Sequence, residues 1–237
     1  MPARPTGSRS DIAKMVEKQM RHWELARAQR VTPQPDVRPP EVAEFVSISR
    51  SVASGGSRVA TLLGQRLGWP VFDREILQAM AGDDQVRARL YERMDERDVN
   101  WLEDAARWLI GGELRKDDYF CRLTETILVL ARQGHAVFLG RGVDLILPRD
   151  RGLRVRITAP PEQRARTFAE RRNVTEALAL AEIERIDRER TEFRRRHFGR
   201  TANDVARYDL VLNLNCFRPE QAVEVILVAL RARGVGC

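Results

Sequence analysis

A glycine- and serine-rich stretch, SRSVASGGSR at residues 49–58, directly follows an alternating apolar segment. Between a strand and a helix, such a stretch can turn successive backbone N–H groups towards one point, and the following helix adds the positive end of its dipole. The chemistry that suits this arrangement is phosphate binding. Of the four fixed positions in the phosphate-loop pattern G-x-x-x-x-G-K-[ST], only Gly55 and Ser57 match, whereas Arg50 and Gly56 occupy the other two. The pattern alone favours a simple glycine–serine turn.

Three later segments carry residue types that suit the same chemistry. They are LGWPVFDREIL (67–77), VFLGRGVDLIL (137–147) and ERIDRERTEFRRRHFG (184–199). The first has Asp73 in an acidic turn, and the second has Gly140 and Arg141 at the end of an apolar run. A glycine there lets a ligand approach, and an arginine binds phosphate with its planar fork. Arginines on a helix, as predicted for the third segment, can neutralise charge on a transferred phosphoryl group.

Each of these segments also has a purely structural explanation. Asp73 could cap the helix that follows it. Arg141 could pair with Asp144 one turn later, and Glu184 could pair with Arg188 on the surface of a solvated helix. These alternatives stay open on the sequence alone.

Alternating strands and helices must position these segments. The predicted strands are 44–49, 70–73, 135–140, 153–158 and 208–214, and the predicted helices are 58–68, 74–82, 122–134, 160–172, 175–199 and 219–233. This alternation predicts an α/β fold of three layers, a parallel sheet of about five strands flanked by helices. Ligands of such open sheets bind in the crevice beyond the carboxyl ends of the strands.

The N-terminal part differs in composition from the rest. Residues 10–31 have helical periodicity, and TPQPDVRPP at 32–40 reads as a stiff linker. We therefore expect a helical appendage and linker over 1–40 and one domain over 41–237, with a charged, helix-prone insertion at 83–118. The appendage could pack on its own domain, or serve a homodimer or another partner.

Composition excludes several classes of protein. The 237 residues are 43% hydrophobic and 32% charged, and no apolar run approaches the ~20 residues that cross a bilayer. The three cysteines have no metal-like spacing, and no signal peptide is visible, so the expected location is cytoplasmic. The net charge of +7 is too modest to require nucleic-acid binding, and we do not expect a nucleic acid as partner.

Together the loop and the three segments resemble the cytidylate kinase-like proteins, a branch of the P-loop nucleoside monophosphate kinases, over roughly residues 44–230. In that branch the loop reads S-R-x-x-G-S-G-G-R and lacks the usual lysine. The resemblance implies a P-loop kinase-like domain that transfers the γ-phosphoryl group of ATP, with Mg²⁺, to a nucleoside monophosphate or another small phosphorylated acceptor. The chain departs from cytidylate kinases at Leu139, where they carry an acid, so one route of metal coordination is in doubt.

The resemblance also assigns roles to residues. Those implied for ATP binding are Arg50, Ser54, Gly55, Gly56, Ser57 and Arg58, with Ser57 also a Mg²⁺ ligand. Those implied for catalysis are Arg58 and three arginines of a lid at 184–200, namely Arg188, Arg190 and Arg194. Those implied for acceptor binding are Asp73, Gly140 and Arg141. Arg58 or Arg50 would replace the missing lysine, unless Arg58 simply faces solvent.

Two other functions remain as alternatives. The missing lysine and Leu139 favour a nucleotide-binding regulatory protein with little or no turnover on a kinase-like fold. Binding of RNA or DNA through the basic helix at 185–200 is a weaker third hypothesis.

Overall fold

The computed structural model describes residues 9–28, 42–92, 94, 99–102, 118–199 and 204–234. The strands are β1 Phe45–Arg50, β2 Val71–Phe72, β3 Ala136–Leu139, β4 Gly152–Thr158 and β5 Leu210–Asn213. The helices are α1 Arg9–Ala28, α2 Gly56–Leu67, α3 Arg74–Gly82, α4 Asp84–Tyr91, α5 Asp118–Gln133, α6 Val143–Ile146, α7 Pro161–Arg172, α8 Glu176–Phe198 and α9 Pro219–Ala232. The predicted linker at 32–40 and most of the predicted insertion at 83–118 lie outside the described residues.

The five strands form one parallel sheet in the order β2-β3-β1-β4-β5. This confirms the predicted three-layer α/β fold. Strand β1 is central, and Phe45 pairs with Ala136 of β3 on one side and with Gly152 of β4 on the other. The ends of β3, β1 and β4 therefore lie side by side at the carboxyl edge of the sheet, where the motifs were expected to meet.

Helices cover both faces of the sheet because the central strands are apolar on both faces. On one face, Val46 and Ile48 of β1 pack with Val59 and Leu63 of α2 and with side chains of α9. On the other face, Phe45 belongs to a core formed with α1, α3 and α5. Successive residues of a strand point to opposite faces, so this division fixes which side chains emerge on each side of the sheet.

Helix α1 packs on its own domain. Its Trp23 is 1% exposed, and the Trp23 Nε1 donates to the Leu130 carbonyl oxygen at 3.3 Å. The Gln19 Oε1 accepts from the Val71 N–H at 2.9 Å, so α1 also covers the edge strand β2. Of the two arrangements left open by the sequence, the structure shows this one, and contact with a second copy or another partner stays a prediction.

Among the described residues, no helix combines the length and the apolar character that crossing a bilayer requires.

A prediction for stability follows from the close packing of α2 on the sheet. A Cβ on Gly64 would lie 2.3 Å from Val71 Cγ2, whereas a Cβ on Gly82 of α3 would meet nothing within 4 Å. We expect Gly64→Ala to lower the free energy of unfolding by about 1–3 kcal/mol through overpacking. Gly82→Ala should leave it unchanged or raise it by up to about 1 kcal/mol, since alanine favours the helix. Urea denaturation of both variants measures the difference, and equal effects would contradict the packing described.

Candidate active site

The loop between β1 and α2 has the geometry of an anion site. Gly55 takes a left-handed conformation with φ 86°, and α2 begins at the next residue. Within the described part of the chain, no hydrogen bond is donated by the backbone N–H groups of Gly55, Gly56 or Ser57. The Ser54 hydroxyl donates to the Ser51 carbonyl oxygen at 2.9 Å and so braces the loop from inside. Free N–H groups at the start of a twelve-residue helix suit a phosphate.

Arg50 occupies the space that a side chain at position 56 would need. A Cβ on Gly56 would lie 2.7 Å from the Arg50 Cβ and 3.2 Å from its Cγ. The Arg50 guanidinium continues towards β3, where Nη1 donates to the Leu139 carbonyl oxygen at 3.3 Å. There a Cβ on Gly140 would lie 2.5 Å from the same Nη1. The glycines at 56 and 140 therefore make room for one arginine that extends from β1 across the end of β3.

The turn after β3 consists of three residues in the left-handed region, Gly140, Arg141 and Gly142, with φ of 87°, 55° and 71°. This turn directs the Arg141 guanidinium over the ring of Phe193 of α8, at 5.1 Å from the centroid. The ring of Tyr119 of α5 lies 6.0 Å from the same group. Aromatic faces can hold a guanidinium without neutralising its charge, which leaves its N–H groups available for an anion.

Helix α8 crosses above the loop and is bonded to its backbone. The Val52 N–H donates to Asp187 Oδ1 at 3.1 Å, and Arg190 Nη1 donates to the Arg50 carbonyl oxygen at 3.0 Å. Arg164 of α7 joins the two parts, because its Nη1 contacts Asp187 Oδ2 at 2.6 Å and the Val52 carbonyl oxygen at 3.3 Å. The predicted lid is thus docked on the loop.

Farther along α8, Arg194 forms a bidentate ion pair with Asp144 of α6, with both N···O distances at 2.8 Å. Both residues are buried. Although burial lowers the pKa of Arg194, its hydrogen bonds to Asp144 raise that pKa above its ordinary value overall. Asp144 is therefore the partner of Arg194, and not of Arg141 as the structural alternative would have it.

These elements enclose a cavity of about 470 Å³ at the carboxyl edge of the sheet. Its lining contains six arginines, namely Arg50, Arg74, Arg141, Arg156, Arg190 and Arg194. It contains two carboxylates, Asp187 and Glu189, and both are already engaged, Asp187 by Arg164 and Glu189 by Arg185. The cavity therefore offers a large excess of positive charge and of hydrogen-bond donors.

Burial and nearby positive charges lower the pKa values of three of these arginines, Arg50, Arg141 and Arg190. Burial lowers the pKa of Arg50 to about 9, with a further lowering by the charge of Arg190 and a partial opposing effect of Asp73. Burial lowers the pKa of Arg141 to about 10, and the charges of Arg74 and Arg190 add to this. A lowered pKa of an arginine means that too little negative charge surrounds its guanidinium to offset the cost of burying it. A bound anion would supply that negative charge. The cavity is therefore suited to phosphate or another anion.

Several predicted residues lie at the edge of this arrangement. Arg58 is on α2, its side chain 60% exposed and 3.7 Å from Glu220 of α9. Arg188 is exposed, whereas Arg190 and Arg194 line the cavity. Asp73 caps α3, since its Oδ1 accepts from the N–H groups of the second and third helical residues at 2.9 Å each.

The cavity lining also contains residues that were not predicted from the sequence, among them Arg74, Arg156 and Tyr208. Arg74 directly follows Asp73 in segment 67–77, where only Asp73 was predicted to bind a ligand. Arg156 lies on β4, where an arginine within a strand that is otherwise largely buried was a usable signal for a ligand-facing position. Tyr208 carried no signal, because a residue in the connection before β5 gives no indication of its partners.

The described residues hold no group of three or more His, Cys, Asp and Glu side chains that could bind a metal ion. The Ser57 hydroxyl, exposed in the first turn of α2, is the oxygen ligand available beside the loop N–H groups. Mg²⁺ in phosphate-transfer sites takes most of its ligands from phosphate oxygens and water. The loop therefore fits a Mg²⁺–nucleotide through the phosphates, with one protein oxygen.

Comparison with known proteins gives a consistent result. Residues 45–215 match the model of the Cytidylate kinase-like family. A cytidylate kinase from Halobacterium salinarum is 26% identical over 189 residues, which cover 79% of this chain and 90% of that protein. The crystal structure of an uncharacterized protein from Eubacterium ventriosum superposes with a TM-score of 0.65 at 20% identity, covering 80% of this chain and 98% of the other.

The two roles considered for Asp73 can be separated by experiment. Asp83 caps α4 in the same way, with N···O distances of 2.9 and 3.2 Å to the second and third helical residues, and serves as a matched control. We expect Asp73→Ala and Asp83→Ala each to cost about 1 kcal/mol of stability. If Asp73 acts only as a cap, neither variant changes the affinity for phosphate or nucleotides. A loss of affinity of tenfold or more in Asp73→Ala alone would assign Asp73 to the acceptor site.

Proposed function

Because the chain belongs to the cytidylate kinase-like family, we propose that it is a phosphotransferase that transfers the γ-phosphoryl group of ATP to a nucleoside monophosphate or another small phosphorylated acceptor. The observation that carries this proposal is the arginine-lined cavity, which begins beside the loop at Arg50 and extends under α8. Phosphoryl transfer requires alignment and cations that neutralise the transferred group more than it requires covalent help from the protein. A donor loop next to a cationic acceptor cavity provides both.

The donor side consists of the loop and the start of α2. The N–H groups of Gly55, Gly56 and Ser57 would bind the phosphates of ATP, while Ser54 keeps the loop in shape. The Ser57 hydroxyl would be the protein ligand of Mg²⁺, which supplies charge neutralisation on the phosphates. An enzyme that consumes ATP in this way fits the expected cytoplasmic location, which remains part of the proposal.

We propose that Arg50, rather than Arg58, replaces the lysine that the loop lacks. Arg50 lies in the cavity, and its stem fills the space above Gly56 where the lysine would start. Arg58 is instead paired with Glu220 on the exposed surface. A cation is therefore present near the lysine position, although it comes from the strand instead of the helix.

The acceptor side consists of Gly140, Arg141 and the residues of α8 above them. Arg141 would bind the acceptor phosphate, and Gly140 leaves room for it beside Arg50. Arg190 lies between loop and cavity and would neutralise the group in transfer. Arg194 is paired with Asp144, so we propose that it positions α8. Arg188 stays a candidate for catalysis only if α8 moves.

One observation favours the alternative of a nucleotide-binding regulatory protein. The Arg50 guanidinium donates to the Leu139 carbonyl oxygen and lies against Gly140, so part of its hydrogen-bonding capacity is used within the protein. A protein that binds ATP without transferring its γ-phosphoryl group would have the same features.

A nucleotide screen separates the two functions. ATP consumption is measured with each nucleoside monophosphate and with a panel of sugar phosphates, and ATP binding is measured by thermal shift on the same protein. Turnover with any acceptor supports the phosphotransferase, whereas ATP binding without turnover supports the regulatory alternative. Absence of nucleotide binding would exclude both.

Three matched variants test which arginine replaces the lysine. Arg66 of α2 pairs with Glu224 of α9 at 2.8 Å, as Arg58 does with Glu220, and provides the control. We expect Arg50→Gln to lower kcat about 10²–10³-fold, the usual cost of removing one donor to a developing charge. Arg58→Gln should behave like Arg66→Gln, with less than a threefold change. A large loss of kcat in Arg58→Gln alone would restore Arg58 as the replacement.

A further inference from the structure

Arg156 is a cavity arginine for which the donor loop and Arg141 provide no explanation. It lies on β4 between Val155 and Ile157, which both pack in the core on the α2 face of the sheet. Its side chain therefore emerges on the opposite face, away from the helix whose start binds the donor phosphates. Arg156 is thus on the acceptor side of the sheet.

The guanidinium of Arg156 is held by uncharged groups. Nη1 donates to the Ser49 hydroxyl at 3.0 Å, and Nη2 donates to the Ser51 hydroxyl at 3.2 Å. Among the described residues, no carboxylate forms an ion pair with Arg156. The two serines fix the direction of the fork without neutralising its charge, an arrangement typical of a group oriented for an anionic ligand.

Arg141 and Arg156 are anchored at different ends of the cavity. Arg141 follows β3 and packs on the rings of Tyr119 and Phe193. Arg156 is on β4 and donates a hydrogen bond to a serine of β1. Strand β1 separates β3 from β4, so these two strands are two strand spacings apart, roughly 10 Å. Burial lowers the pKa of Arg141, and the positive charges of Arg74 and Arg190 lower it further. Burial also lowers the pKa of Arg190, and the charge of Arg156 contributes to that lowering. Arg190, which lines the same cavity and lies 3.8 Å from Asp187 Oδ1, is therefore affected by positive charge from both ends of the cavity.

In the described lining of the cavity, neither carboxylate is free to recognise a neutral base. Asp187 and Glu189, the two carboxylates of its lining, are engaged by Arg164 and Arg185. A pyrimidine or purine base presents donors as well as acceptors, whereas this lining offers mainly donors. The part of the acceptor that lies over β4 should therefore carry acceptor atoms and negative charge.

From this arrangement we propose that the acceptor has two anionic groups, one bound by Arg141 near the transfer point and the other bound by Arg156. The acceptor class is a small phosphorylated metabolite with a second phosphate or a carboxylate, in place of a nucleoside monophosphate. This inference rests on the proposed phosphotransferase function and narrows its acceptor.

The test compares probes of one and two anionic groups by calorimetric titration. The single-phosphate probes are fructose 6-phosphate and CMP, and the probes with two anionic groups are 3-phosphoglycerate and fructose 1,6-bisphosphate. We expect the better of the latter two to bind wild-type protein at least about tenfold more tightly than either single-phosphate probe, the usual effect of a charge-assisted bidentate contact. Tighter binding of CMP would overturn the proposal without any variant being needed.

Variants then locate the second anion. Arg156→Gln should reduce the preference for two anionic groups to less than about twofold, and Arg156→Lys should keep part of it because the charge remains. Arg66→Gln, on the exposed side of α2, should leave it unchanged. An unchanged preference in Arg156→Gln, or a loss confined to ATP affinity, would overturn the proposal, and the latter would place Arg156 at the donor.

ATP titrations on the same proteins keep the two conclusions apart. If wild-type protein and Arg156→Gln bind ATP equally and neither distinguishes the probes, the inference fails while the proposed function stands. If wild-type protein binds no nucleotide, the proposed function itself fails.

Discussion

The crowding of buried guanidinium groups at one edge of the sheet is the constraint on which the rest of this structure depends. Arg50, Arg141 and Arg190 repel one another in a place where water can do little to separate their charges. Carbonyl oxygens and aromatic rings hold them, and one carboxylate oxygen, Asp187 Oδ1, lies 3.8 Å from Arg190 Nη1. These contacts offset the repulsion only in part, since the pKa values of all three arginines stay lowered, and a bound anion would offset it further. Such a site discriminates strongly between anionic and neutral ligands.

The loop illustrates how a strand residue can supply a positive charge beside a phosphate-loop-like turn that lacks the lysine of the motif. Gly56 and Gly140 are both small because Arg50 passes over them, and a lysine at position 56 would collide with the stem of that arginine. The cation, the loop glycine and the strand-end glycine thus form one packing unit. In the sequence, the lysine of the motif is absent from position 56. In the structure, the side chain of Arg50 brings a positive charge to the same loop.

Most of the fold could be predicted from the sequence, because each strand is an apolar run with helical periodicity on either side. The family and the Gly-Arg turn were also accessible from local motifs. The side-chain partners were not, because they depend on contacts between residues far apart in the chain. Asp144 lies three residues from Arg141 but pairs with Arg194, and Arg156 joins the cavity only because β4 lies next to β1. Spacing along the chain carries no information on either contact.

Helix α8 contacts the two halves of the cavity at once. Asp187 and Arg190 hold the loop backbone, and one and two turns later Arg194 and Phe198 hold the region of the turn that carries Arg141. A rigid-body movement of α8 would disturb both sets of contacts, so under the proposed function the binding of donor and acceptor would be coupled through α8. Thermodynamic reciprocity then requires the factor by which one substrate alters the affinity for the other to be equal in both directions. Any preferred order of binding would then be set by association and dissociation rates, because this coupling is symmetric.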